Sequence, residues 1–227
     1  MGTLTGIHII ARVRDTLVDT IDNGDGLRWP DAELLRYIND AQRAIAQLRP
    51  DSTAVTRSVL LTAGNTRQSI PTSAIRLMSI DRNMGSDGLT PGRAIRVASR
   101  ATLDTQIPYW HSYGPTQEIV HFLFDIREPR AFYVYPYPAA NVYVEMTTSD
   151  APIDLATTAS TIYQDDIYEN SIIAFVLMRA YGKDDDYTRN ADAASAWATM
   201  FNSGLSARTQ VDGGITPNKA MQTGAVK

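Results

Sequence analysis

With 227 residues, 44% of them hydrophobic, no cysteine and a formal net charge of −4, the chain can fill one large or two small cores. It has no disulfide framework, thiolate metal site or cysteine nucleophile, and it lacks the dense basic patch of a free-standing nucleic-acid binder, although DNA could pass such a protein without sticking. No apolar run reaches the roughly 18 residues of a membrane span, and no basic start with an apolar stretch and cleavage site opens the chain, so a soluble protein without a secretory signal is expected.

Residues 4 to 22 predict a first helix, with Ile7, Ile10, Leu17, Val18 and Ile21 near one side and Arg12, Arg14, Asp15 and Asp19 on the other. Asn23-Gly24-Asp25-Gly26 should stop it, because glycine tolerates the left-handed conformation that ends helices. Between Trp29 and Asp51 a second helix has both ends written into it. Pro30 opens the first turn, Asp31 and Glu33 oppose the positive end, and Arg49-Pro50 closes it. Leu34, Ile38, Ala41, Ile45 and Leu48 form an apolar stripe, and Asn39, Asp40, Gln42, Arg43 and Gln47 the polar face. The two helices predict an antiparallel hairpin.

From about 55 to 148 the period becomes alternating. Arg57 to Thr62 and Thr66 to Ile70 flank Ala63-Gly64-Asn65 and predict a hairpin. Further strands are expected at 75 to 82, 93 to 97, 118 to 125, 131 to 135 and 142 to 147, with one or two helical turns at Ser99 to Thr105. Tyr133, Tyr135 and Tyr137 alternate with Phe132, Val134 and Pro136, giving a tyrosine face and an apolar face. Tyr109, Trp110 and Tyr113 form a second aromatic group on a loop, where exposed rings would favour an interface and buried ones would anchor the loop.

After Pro152 helical periods return at Gln164 to Tyr181 and Asp186 to Ser203. The first is apolar over much of its circumference and should be central; the second carries a stripe of Ala191, Ala194, Trp197, Ala198 and Phe201. Ser206 to Lys227 is too poor in apolar residues to build its own core and reads as a tail or an arm that orders against another chain. The fold class expected is α+β, an antiparallel bundle of N- and C-terminal helices with an inserted antiparallel β-sandwich or partial barrel and an extended C-terminal arm. The divisions are 1–52, a helical hairpin; 53–152, the β insertion; 153–205, the C-terminal helices; and 206–227, the tail.

No standard catalytic signature occurs: G-x-S-x-G, the phosphate loop and G-x-G-x-x-G are all absent. His8, His111 and His121 lie far apart, so no metal or cofactor is expected. Asp184, Asp185 and Asp186 sit between two helices, where capping explains them better than magnesium binding, and Asp22 and Asp25 lack the full ligand set of a calcium loop.

Arg12-Val13-Arg14-Asp15, Arg28-Trp29-Pro30-Asp31-Ala32-Glu33-Leu34-Leu35, Ile38-Asn39-Asp40-Ala41-Gln42-Arg43 and Leu48-Arg49-Pro50-Asp51 together resemble the adaptor proteins of tailed bacteriophages, also called head-to-tail connector or tail tubular proteins. Thr66-Arg67-Gln68-Ser69-Ile70-Pro71, Asp81-Arg82-Asn83, Pro91-Gly92-Arg93-Ala94-Ile95-Arg96 and Phe132-Tyr133-Val134-Tyr135-Pro136 look like the β portion of that family, so the resemblance spans about residues 7 to 205. It implies a non-enzymatic virion protein, assembled in the host cytoplasm and located in the neck between head and tail. It further implies a dodecameric ring beneath the portal protein that carries the tail or nozzle and lets double-stranded DNA pass without sequence-specific binding or membrane contact. Arg12, Arg14, Tyr109, Trp110, Tyr133, Tyr135, Tyr137, Val211, Ile215, Pro217 and Met221 are the expected interface residues. The competing readings are another head-completion or tail-completion subunit, a carbohydrate-binding module resting on the tyrosine face, and a metal-dependent hydrolase built on the aspartates.

Overall fold

The computed structural model describes residues 2–19, 28–183 and 188–215, with side chains at 190–207 in the last of these segments. It is a mixed α+β structure with five α-helices and two sheets among the described residues. The chain divides into two compact units, Met1–Ser52 with Pro152–Lys227, and Thr53–Ala151.

In the helical unit, α1 (Gly6–Leu17) buries Ile9, Ile10 and Val13. The expected stripe is corrected here: Ile7 is 59% exposed, Val18 is exposed as well, and helix α1 ends at Val18 in the left-handed conformation, short of the expected residue 22. The expected Asn23 to Gly26 stop and Ile21 lie outside the described residues. Helix α2 (Asp31–Leu48) buries Leu34, Ile38, Ala41 and Ile45 as its stripe predicts, but Leu48 is 57% exposed in its last turn.

Two residues assigned to the polar face of α2, Asn39 and Gln42, are buried instead. Their amides hold the non-helical segment at residues 155–164. Asn39 accepts from the Leu155 N–H at 2.8 Å and donates to the Leu155 carbonyl at 3.2 Å. Gln42 accepts from the Tyr163 N–H at 2.8 Å, and its backbone carbonyl accepts from the Gln164 side chain at 2.8 Å. Irregular backbone has no ladder of its own, so side-chain amides must satisfy it when it is buried.

Helix α4 (Glu169–Gly182) begins after a 3-10 turn at Asp166–Tyr168, later than the periodicity predicted. It buries Ile172 through Leu177 and Ala180, and it lies against α1, α2 and α5. An all-round apolar helix needs neighbours on several sides, and this one has them. Helix α5 (Thr188–Ile215) packs on α4 through Phe201 and Leu205, with the rings of Phe175 and Phe201 5.3 Å apart. The residues expected to start an extended tail at Ser206 are helical as far as Ile215, because nothing in Ser206 to Val211 breaks a helix once Leu205 anchors it. Residues 216–227 of the tail lie outside the described residues.

In the β unit, one sheet has the order β1-β7-β3, from β1 (Ala54–Leu60), β7 (Tyr143–Asp150) and β3 (Ala74–Asn83), all antiparallel. The other has the order β2-β6-β5-β4, from β2 (Arg67–Ser69), β6 (Ala131–Tyr135), β5 (His121–Phe124) and β4 (Arg96–Val97). One apolar cluster draws on both sheets, including Leu77, Ile80, Phe132, Val134, Val144 and Met146.

The hairpin expected around Gly64 does not form. β1 pairs with β7 and β2 with β6, so the turn carries the chain from one sheet to the other. Gly64 takes the positive φ of 72° that its residue type predicts, yet the turn is closed by Gln68. Its amide accepts from the Thr62 N–H at 2.7 Å and donates to the carbonyls of Thr62 and Asn65. With a buried side chain supplying the bonds that a cross-strand ladder would, the two strands are free to diverge. The all-antiparallel expectation is corrected as well, since β4 and β5 run parallel. The long connection between them, holding α3 (Arg100–Gln106), is what a parallel pairing requires.

Candidate interaction surfaces

On the four-stranded sheet, the alternation of β6 turns Phe132 and Val134 into the core and leaves Tyr133 and Tyr135 half-buried on the opposite face. α3 and a following 3-10 turn at Trp110–Ser112 lie over that face. Trp110 is fully buried beside Leu103 and Leu123, and its indole N–H donates to Asp104 at 2.7 Å. Tyr133 meets the Trp110 and His111 rings edge-on at 6.2 Å, and Arg100 stacks over it at 5.4 Å. Tyr135 packs against Tyr113 at 5.7 Å and against His121; burial pushes its phenol above the usual value, with the Tyr113 phenol adding to the shift. The tyrosine face is thus used inside the subunit, as the anchor of a loop.

What that arrangement leaves outside is a smaller set. Tyr109 is 84% exposed and Tyr113 is largely exposed, while Tyr137 is half-buried, its amide donating to the Tyr113 carbonyl at 3.0 Å. Beside Tyr133 a cleft of about 560 Å³ opens between the start of α3 and the Asp125–Glu128 turn, with Arg100 on one wall and Asp125 and Glu128 on the other. Asp125 is occupied: Arg127 donates to it from guanidinium and backbone, holding its carboxyl down at about 2.

In the helical unit the two predicted arginines are both engaged. Arg12 pairs with Glu169 of α4, which also meets His8 at 3.0 Å. Arg14 is mostly buried and bridges Asp19, the Trp29 carbonyl and Asp31, tying the end of α1 to the start of α2. Asp166 receives the Thr3 hydroxyl and the Thr3 and Leu4 amides, which hold its carboxyl below the usual range and fix the N-terminal segment. Next to that segment lies a mainly apolar groove of about 340 Å³ lined by Gly2, Ile153, Leu155, Ile162 and Tyr163. Ile153 at its rim is 73% exposed. Sequence reading did not single out Ile153, and an apolar residue directly after a proline at a period change was the signal available.

Val211 and Ile215 fall on the last turns of α5, while Pro217 and Met221 lie outside the described residues, as do Asp22, Asp25 and Asp184 to Asp186. His111 accepts or donates to the Thr66 hydroxyl at 3.0 Å and stacks on Trp110, so it serves packing. Among the described residues no group of three or more His, Asp or Glu comes together as a metal site, and no helix is long and apolar enough to cross a membrane.

A comparison with curated proteins finds no match. The family model described as SU10 adaptor protein matches residues 5–221, running through both units and all the elements above. The family is a structural one and not an enzyme class, with a head-tail adaptor role in the virion neck and portal and tail proteins as the implied partners. The chain therefore belongs to the SU10 adaptor protein family of tailed-bacteriophage adaptors.

Proposed function

We propose that copies of this chain form a dodecameric ring that docks beneath the phage portal, continues the DNA channel and provides the surface on which the tail or nozzle assembles. The observation that carries this reading is the family match across residues 5–221, which leaves neither unit outside it. In this reading the helices act as a bundle that meets the portal, and the β unit, a small sandwich, faces outward or toward the tail.

Physical features support it. A ring subunit must meet two neighbours and at least one other protein, and each contact needs roughly 800 Å² per partner. Tyr109 and Tyr113 on the β unit, and Ile153 with its groove on the helical unit, are exposed apolar surface suited to such contacts. The final turns of α5, with Val211 and Ile215, together with Pro217 and Met221, are the segment we assign to clasping the portal or a neighbour. The net charge of −4, repeated around a ring, keeps DNA from adhering if acidic side chains face the channel.

Cryo-electron microscopy of the neck of the phage that encodes this chain tests the assignment. The expected result is one twelve-fold layer directly below the portal into which both units fit. Density for this fold in the capsid wall or at the tail tip, with another protein below the portal, would overturn it.

A further inference from the structure

Among the described residues the two sheets present four edge strands, and three of them carry devices that discourage pairing with another chain. β2 has only three residues and β4 only two. β3 breaks register at three places, and Ala94 bridges to Arg82 near its end. β1 is neither short nor broken in register, and its one charged residue, Arg57, is turned to Asp150 of its own subunit. It pairs with β7 in unbroken register over all seven of its residues and contains no proline or lysine, and no strand lies on its other side.

The direction of its free backbone groups follows from one hydrogen bond. The Leu61 N–H donates to the Val142 carbonyl at 2.9 Å, so antiparallel alternation turns the backbone groups of Val55, Arg57 and Val59 toward β7. Those of Ala54, Thr56, Ser58 and Leu60 point away from it, and the side chains of these same four residues are exposed.

We propose that β1 pairs with β1 of a second copy, antiparallel, about a two-fold axis through Arg57. In that register Thr56 lies opposite Ser58 of the second copy, Ala54 opposite its Leu60 and Val55 opposite its Val59. Hydroxyl meets hydroxyl and apolar meets apolar, the pairings that stabilise a sheet. All four outward residues fall in hydrogen-bonded pairs, about eight backbone bonds in all. A shift of one residue would set outward groups against inward ones, so the parity is fixed. Arg57 meets its own copy at the axis, but each guanidinium is turned to Asp150, Thr148 and Ser73 of its own subunit, which compensates the two charges. The contact is isologous and closes at two copies, joining two three-stranded sheets into one. A rotational ring uses heterologous contacts, so this dimer is a state of the free subunit that opens on assembly.

Light scattering of the free full-length protein over a concentration series, with amide exchange followed by NMR, tests this. The expected result is a doubling of the 25.0 kDa mass with concentration. In the dimer the amides of Ala54, Thr56, Ser58 and Leu60 slow by about ten-fold or more, while those of Val55, Arg57 and Val59 are protected at every concentration. Thr56→Pro removes an outward amide donor and no backbone bond to β7, giving up only the Thr56–Thr147 hydroxyl contact at 2.8 Å, and should abolish the doubling. A monomer at all concentrations would overturn the proposal, as would a dimer whose four outward amides exchange as fast as in dilute solution. Should Thr56→Pro fail to fold, the exchange pattern of the unaltered chain decides.

Discussion

Val18 ends α1 at φ 55°, a conformation in which a β-branched side chain crowds its own backbone, and it does so with its side chain in solvent. With that side chain exposed, glycine relieves the strain and keeps the backbone bond to the Arg14 carbonyl, so Val18→Gly should raise stability by about 1 kcal/mol, measured by urea unfolding. The buried amides of α2 predict the reverse. Gln42→Ala leaves the Tyr163 N–H without its acceptor and should cost about 1–3 kcal/mol in the same assay. In the β unit, burial pushes the Asp150 carboxyl up, but hydrogen bonds from Arg57, Thr148 and Ser73 outweigh it and leave it below the usual aspartate range. Its folded pKa is therefore lower than its unfolded one. The stability this contributes is complete above about pH 4 and is lost as pH falls through the folded pKa. Thermal unfolding followed from about pH 5 down to pH 2.5 should show a falling melting temperature that Asp150→Asn flattens.

At the scale of elements, one ring holds a whole layer: Trp110 fixes α3 and its loop over the four-stranded sheet. Trp110→Ala should cost about 3–5 kcal/mol and loosen α3 first, visible as early amide exchange there while the three-stranded sheet stays protected. Most elements were legible because their signals are local. The stripe of α2, the all-round apolar run of α4 and the alternation of Phe132 to Tyr135 each fix a period that packing then obeys. Local signals mislead where a distant partner decides. Asn39 and Gln42 look solvent-facing until the 155–164 segment needs their amides, and Gly64 looks like a hairpin turn until Gln68 closes it. The alternation of β6 reveals the tyrosine face but not what covers it, since Trp110 comes from another segment. The apolar stripe of α5 runs only to Phe201, yet an anchored helix continues through polar residues at little cost.

For the whole molecule, helix lengths bear on assembly. α5 has 28 residues against 14 in α4, roughly 42 Å against 21 Å of rise, so α4 alone cannot cover it. Truncation after Leu205 keeps Phe201 and Leu205 on α4 and should leave a folded subunit, with unfolding close to that of the full chain. It should fail to join the portal, checked by co-sedimentation with portal rings. Native mass spectrometry of the purified protein mixed with the portal of the same phage reads out whether this chain builds a ring on the portal. One added ring of twelve subunits, with no intermediate stoichiometry at saturation, is the expected result. A portal mass unchanged by excess subunit would contradict it.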